Sequence, residues 1–155
     1  MEVLDKNKYS GLIEPLKKFS INNLFARSVI ENHVTGKVFA DNRKNPNTYY
    51  IIHPYGMSLL FGDHTNQKFN HRFRDHYLNI NKTRNKYEWL QAYPEKWDKV
   101  LHALFRDKCI ESDKSLENKN TGLITKLTRV NFKFNYPLYK KKKKISGEDL
   151  VVKQT

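Results

Sequence analysis

Residues 36–63, GKVFADNRKNPNTYYIIHPYGMSLLFGD, constrain the fold more than any other part of the chain. Three runs, 37–40, 48–53 and 57–61, are rich in aliphatic, β-branched and aromatic residues. Between them stand 41–47 (DNRKNPN) and Pro54-Tyr55-Gly56. Asp and Asn side chains bond their own backbone and Pro fixes φ, so both separators have the chemistry of turns. The spacing therefore predicts a three-strand meander closed by Gly62-Asp63. A strand with one wet face alternates apolar and polar residues, whereas these runs are apolar almost throughout. They predict a sheet covered on both faces.

Covering both faces requires helices before and after the meander, and the sequence supplies them. Leu12, Ile13, Leu16, Ile21, Leu24, Phe25 and Val29 recur at helical spacing over 12–32, with Ser20 as the expected N-cap between two helices or two turns of a bent one. Residues 66–79 form an amphipathic helix with Phe69, Phe73 and Tyr77 on one stripe. A strand is expected over 87–93, containing Trp89. Pro94, at a first helical position, then opens a helix over 95–105 that buries Trp97, Val100, Leu101, Leu104 and Phe105. Residues 113–120 are polar and read as a loop, and 123–134 alternate (Ile124, Lys126, Thr128, Val130, Phe132, Phe134) as one or two strands do. The fold class is α+β: a mixed, largely antiparallel sheet packed against helices. One domain spans 1–139, and 140–155 form a basic, mobile tail without a core-forming pattern.

At 155 residues, with 38% hydrophobic and 29% charged, the chain can bury one core. No apolar run approaches the ~20 residues that cross a bilayer, and MEVLDKNKYSG carries no apolar segment of signal-peptide type. The single cysteine, Cys109, fits a reducing compartment, so the expected location is cytoplasmic with no membrane contact. The net charge of +13 and pI near 9.7 favour an anionic partner. Five of those charges are the unbroken lysine run 140–144. Charge excess speaks to solubility and non-specific association, not to fold.

The meander, followed by KFNHRFRDHYLN, EWLQAYPEKWDKVLHALF and TRVNFKFN, resembles the N-terminal half of a bacterial, two-domain GNAT-type acetyltransferase family. Gly36, Asp41, Asn45-Pro46, Gly62, Trp97 and the 129–135 strand carry the likeness, which covers roughly 20–135. The resemblance implies a GNAT-like scaffold that packs against a second, C-terminal GNAT domain. In the complete protein, acetyl-CoA would give its acetyl group to an amine. The cofactor's usual seat in such folds is a V-shaped splay between two parallel strands. Its fingerprint is a Gln/Arg-x-x-Gly-x-Gly/Ala turn at a helix start, whose N–H groups hold the pyrophosphate. Here the glycines are Gly11, Gly36, Gly56, Gly62, Gly122 and Gly147, and no two are separated by one residue. No acetyl-CoA-binding or catalytic residue is therefore assigned. The expectation is an N-terminal portion that is not catalytic alone, its other half lost to a frameshift or early stop at or after the lysine codons. Its partner would be a C-terminal GNAT domain or a second copy of itself.

Other constellations have a functional and a structural reading. Asp63, His64, His71, Asp75 and His76 lie close in sequence, with His71 and Asp75 at i, i+4. A metal needs three or four converging ligands, and these residues read instead as the solvated side of the 66–79 helix; no metal ligand is assigned. Cys109 reads as a small buried hydrophobe rather than a nucleophile. Tyr49, Tyr50, Tyr55, Trp89, Tyr93 and Trp97 could stack nucleic-acid bases but read as core. The lysine run reads as an extended, solvated tail, because adjacent like charges repel. A basic nucleic-acid-binding module, or an assembly module, is the alternative function.

Overall fold

A computed structural model describes residues 1–84, 88–111, 123–127 and 134–146. In order these form β1 (Glu2–Val3), a 3₁₀ segment (Lys6–Leu12), α1 (Ile13–Lys17), α2 (Leu24–Ile30), β2 (Lys37–Ala40), β3 (Thr48–Ile52) and β4 (Met57–Gly62). There follow α3 (Gln67–Tyr77), β5 (Trp89–Tyr93), α4 (Lys96–Leu104), β6 (Cys109–Glu111), β7 (Ile124–Lys126) and α5 (Tyr136–Ser146). The main sheet runs β1-β2-β3-β4-β5; its first four strands are antiparallel in sequence and β5 lies parallel to β4. β6 and β7 pair separately, in parallel. This is the expected α+β fold with a mixed, mostly antiparallel sheet.

The meander forms as its turn chemistry dictates. Asp41 Oδ1 accepts from the Asn47 and Thr48 N–H groups at 3.0 and 3.3 Å, and Asn42 Oδ1 accepts from Asn45 N at 2.8 Å. Tyr49 Oη closes the same turn onto Pro46 O at 2.7 Å. Two glycines are fixed by space. A Cβ on Gly62, where φ is +100°, would stand 2.0 Å from Asn47 O, and one on Gly36 would stand 2.5 Å from Ile52 O.

Both faces of the sheet are covered. On the first face, α1, α2 and the 3₁₀ segment bury Leu12, Leu16, Phe25, Val29 and Ile30 against Val38, Ile51, Leu59 and Phe61. On the second, α3 and α4 bury Phe69, Phe73, Trp97 and Phe105 against Tyr50 and Leu60. The Phe69/Phe73/Tyr77 stripe is the buried stripe of α3, as its spacing requires.

Four local expectations are corrected. Ser20 caps no helix: α2 has Asn23 at its N-cap position, and the buried Asn23 donates Nδ2 to Leu16 O at 2.6 Å, so it ties α1 to α2. Leu24, expected on the apolar stripe, is exposed. Pro94 lies outside α4, which begins at Lys96 with Glu95 at its N-cap position; the Tyr93–Pro94 peptide is cis. The lysine run is helical rather than extended, lying within α5. Lysine is a good helix former, and water weakens repulsion between exposed charges. The lysines also lie toward the C-terminal end of α5, where the helix dipole favours cations. Asn135 starts that helix, its Oδ1 accepting from Leu138 N at 3.1 Å and its carbonyl from Tyr139 N at 3.0 Å. The 113–120 loop, Tyr87 and most of the strand expected over 129–135 lie outside the described residues. Among the described residues no helix is long and apolar enough to cross a membrane.

Candidate functional site

The cofactor seat that the resemblance implies would lie between parallel strands, and β4 and β5 are the parallel pair of the main sheet. They pair at five successive positions, from Met57↔Trp89 to Phe61↔Tyr93. No splay opens between them over that length. Rings lie over the seam on the first face: Phe19, from the α1–α2 link, stacks on Tyr93 at 4.2 Å and meets Phe61 edge-on at 5.3 Å, while Tyr49 of β3 stacks on Phe61 at 4.9 Å. On the second face Leu60 and Ala92 belong to the cluster around Trp97.

β4 leads through residues 63–66 into α3, a strand-to-helix passage whose helix start is of the kind that can hold a phosphate. Local side chains occupy two of the N–H groups around it, those of Thr65 and Phe69. Asp63 Oδ1 accepts from Thr65 Oγ1 at 2.7 Å and Thr65 N at 2.8 Å, and Asn66 Oδ1 caps Phe69 N at 3.0 Å. The hydroxyl and then the N–H of Thr65 hold the Asp63 carboxyl below the ordinary carboxylate range. An anion there would meet the Asp63 carboxylate and find the N–H groups of Thr65 and Phe69 already bonded. Asn66 Nδ2 also donates to Asp41 Oδ2 at 3.2 Å, and Asn70 Nδ2 to His64 O at 2.9 Å, which locks this corner to the β2–β3 turn.

The five residues weighed as metal ligands do not converge. Asp63 is engaged by Thr65, His64 lies edge-on to Trp97 at 6.3 Å, and His71 and Asp75 are exposed on α3. Among the described residues no group of three or more His, Cys, Asp or Glu is placed to hold a metal. His76 is not on the solvated side. Standing three residues after Phe73 it shares that residue's face, and its ring lies 5.3 Å from Phe39 and 5.8 Å from Tyr50. Burial lowers its pKa. Cys109 is half-buried in β6. Of the aromatics expected in the core, Tyr50 and Trp97 are fully buried and Tyr49 and Tyr93 are half-buried. Tyr55 and Trp89 are 62% and 66% exposed, which corrects the core reading for both. Tyr55 sits in the β3–β4 turn and Trp89 at the first position of the strand that ends the sheet.

A buried polar cluster on the second face was not anticipated. Tyr50 Oη donates to Glu88 Oε2, and the Glu88 side chain is only 4% exposed. Arg84 Nη1 lies 3.5 Å from Glu88 Oε1, with the guanidinium 4.7 Å above the Tyr77 ring. Tyr77 Oη donates to Glu88 O at 3.2 Å. Asn79, at φ +55°, grips Arg84 from both sides, accepting from its N–H and donating to its carbonyl at 2.8 Å each. Burial raises both phenols, Tyr77 to about 12 and Tyr50 further. Beside His76 a cleft of about 240 Å³ is lined by Met1, Arg72, Asp75, His76, Asn81 and Thr83. The cluster joins the end of α3 to the entry of β5 and holds its carboxylate out of water. Its sequence signal is slight: an Arg–Glu pair at i, i+4 immediately before the apolar run of β5.

Comparison with known proteins agrees with this architecture. The GNAT acetyltransferase family matches residues 15–145, well over half the chain. A protein of Bacillus subtilis (strain 168), named Uncharacterized N-acetyltransferase YdfB, is 25% identical over 107 residues. That alignment takes in 69% of this chain and 40% of YdfB, so the chain spans well under half the length of that relative. With its sheet, its covering helices and a match over most of its length, the chain belongs to the GNAT acetyltransferase family.

Proposed function

We propose that this chain is the non-catalytic, N-terminal portion of an N-acetyltransferase whose complete form transfers an acetyl group from acetyl-CoA to an amine. Family membership and the name of the Bacillus relative support the activity. The closed β4–β5 seam is the observation that carries the division of labour: five consecutive pairs, with Phe19 packed over one end, leave the usual cofactor position filled by the chain itself. The Asp63 carboxylate at the start of α3 and the absence of a Gly-x-Gly pair from the sequence point the same way. On this reading a second, C-terminal GNAT domain holds acetyl-CoA, and no residue here has a role in the chemical step. The exposed Trp89 and Tyr55 are apolar surface that such a domain, or a second copy of this chain, would cover. The free Cys109 suits a reducing compartment, and we place the protein in the cytoplasm.

Isothermal titration calorimetry of the 155-residue chain with acetyl-CoA tests the proposal. The expected result is no saturable heat up to millimolar cofactor. Stoichiometric binding at micromolar concentration would require the seam to open and would overturn it.

A further inference from the structure

Residues 134–143 do something that the acetyltransferase reading does not use. Phe134, Tyr136 and Tyr139 form a ring cluster, with Phe134 centred 6.4 Å from Tyr136 and 5.4 Å from Tyr139. These three rings are 70%, 54% and 42% exposed. Immediately after them Lys140, Lys141, Lys142 and Lys143 stand exposed on the same helix, Lys140 Nζ lying 4.9 Å above the Tyr136 ring. We propose that this segment binds single-stranded nucleic acid, the rings stacking on bases and the lysines contacting phosphates.

Charge and geometry together select that partner. Consecutive residues of an α-helix turn by about 100°, so four adjacent lysines project around the whole circumference of α5. A helix that lies on a membrane needs an apolar stripe along its length with lysines confined to the other side, and this arrangement has no such stripe. A flexible polyanion can follow charges around a helix. The rings at the helix start offer it flat apolar surface that charge alone does not explain.

The probe is a fluorescein-labelled 20-mer of deoxythymidine, titrated with the whole chain and read by anisotropy. With four phosphates neutralised, affinity should fall about 50-fold between 50 and 200 mM salt. Replacing Lys140, Lys141, Lys142 and Lys143 together by Gln should abolish binding and the salt dependence, whereas Arg at all four positions should preserve both. Phe134→Ala with Tyr139→Ala should weaken binding about tenfold and leave the salt slope unchanged. The exposed positions and an unchanged far-ultraviolet circular dichroism spectrum guard against misfolding. The proposal is overturned by the absence of saturable binding at 50 mM salt, or by full binding of the Gln variant. Unaltered affinity of the ring variant would leave plain charge attraction and overturn it too. Tighter binding to phosphatidylglycerol vesicles than to the oligonucleotide would assign the segment to a membrane instead.

Discussion

On one face of the sheet, α1 and α2 bury Leu16, Val29 and Ile30 against Val38, Ile51 and Leu59. The buried polar groups there turn to the backbone: Asn23 donates to Leu16 O, and the Tyr9 hydroxyl accepts from Val38 N. On the other face, Phe69, Phe73 and Trp97 pack beside a carboxylate, a guanidinium and two phenols. Among the described residues, all six buried side-chain polar atoms without a hydrogen-bond partner belong to Ser58, Asn70, His76, Arg84 and Trp97, on this second side. The first face is held by apolar area, which is tolerant of detail. The second depends on particular partners, because a polar group taken from water is costly unless it is paired.

The largest test of that contrast is Trp97→Ala. Trp97 is fully buried between α4 and the sheet, and its loss should cost about 3–5 kcal/mol in urea unfolding. Leu16→Ala, equally buried on the first face, should cost less, about 2–4 kcal/mol. The reverse order would mean that the aliphatic face, not the aromatic one, carries the stability.

A smaller effect separates the faces by chemistry rather than volume. Glu88→Ala leaves the Arg84 guanidinium without its counter-charge and removes the acceptor of the Tyr50 hydroxyl, an expected cost of about 2–3 kcal/mol. Replacing both members, Arg84→Met with Glu88→Leu, should recover the part of that loss due to the stranded guanidinium, while the Tyr50 hydroxyl still lacks its acceptor. Equal destabilisation of the single and double variants would show that the cluster acts by packing alone.

The same contrast explains what the sequence disclosed. The meander was legible because turn chemistry and continuous apolar runs are local, and Asp41, Asn42 and Gly62 perform there the tasks their types suggest. The α3 stripe was legible because Phe69, Phe73 and Tyr77 recur at one helical spacing. Ser20 misled because the short link between α1 and α2 is fixed by the tertiary bond from Asn23 to Leu16, which no local pattern announces. The lysine run misled because charge repulsion was weighed without the high helix propensity of lysine. Of the candidate site, the missing glycine pair was plain. The closed seam required knowing that Phe19 reaches across to Tyr93, far away in sequence. The Tyr50–Glu88 bond, 38 residues apart, was invisible for the same reason.

His76 provides the finest discrimination, because it titrates where the two faces can be compared without mutation. Burial is the first cause of its lowered pKa; Arg84 and Lys37 lower it further, and Glu88 opposes them. In the unfolded chain a histidine titrates near 6.5. A group whose pKa is depressed by folding stabilises the native state above the unfolded value. That contribution is lost as pH falls through the folded value, since the unfolded chain then binds the proton more readily. Urea midpoints should therefore decline as pH falls below about 6.5, by less than either substitution above, on top of a loss that starts below about pH 8 from the Met1 amino group, which burial also lowers. His53 is also lowered by burial, so His76→Gln should flatten this decline only in part. Glu88→Ala should steepen it, because a neighbouring carboxylate that favours the imidazolium is gone. An acid limb untouched by either change would place the pH sensitivity at other groups that folding lowers, among them His53 and the Met1 amino group, and the contrast between the faces would then rest on packing and not on His76.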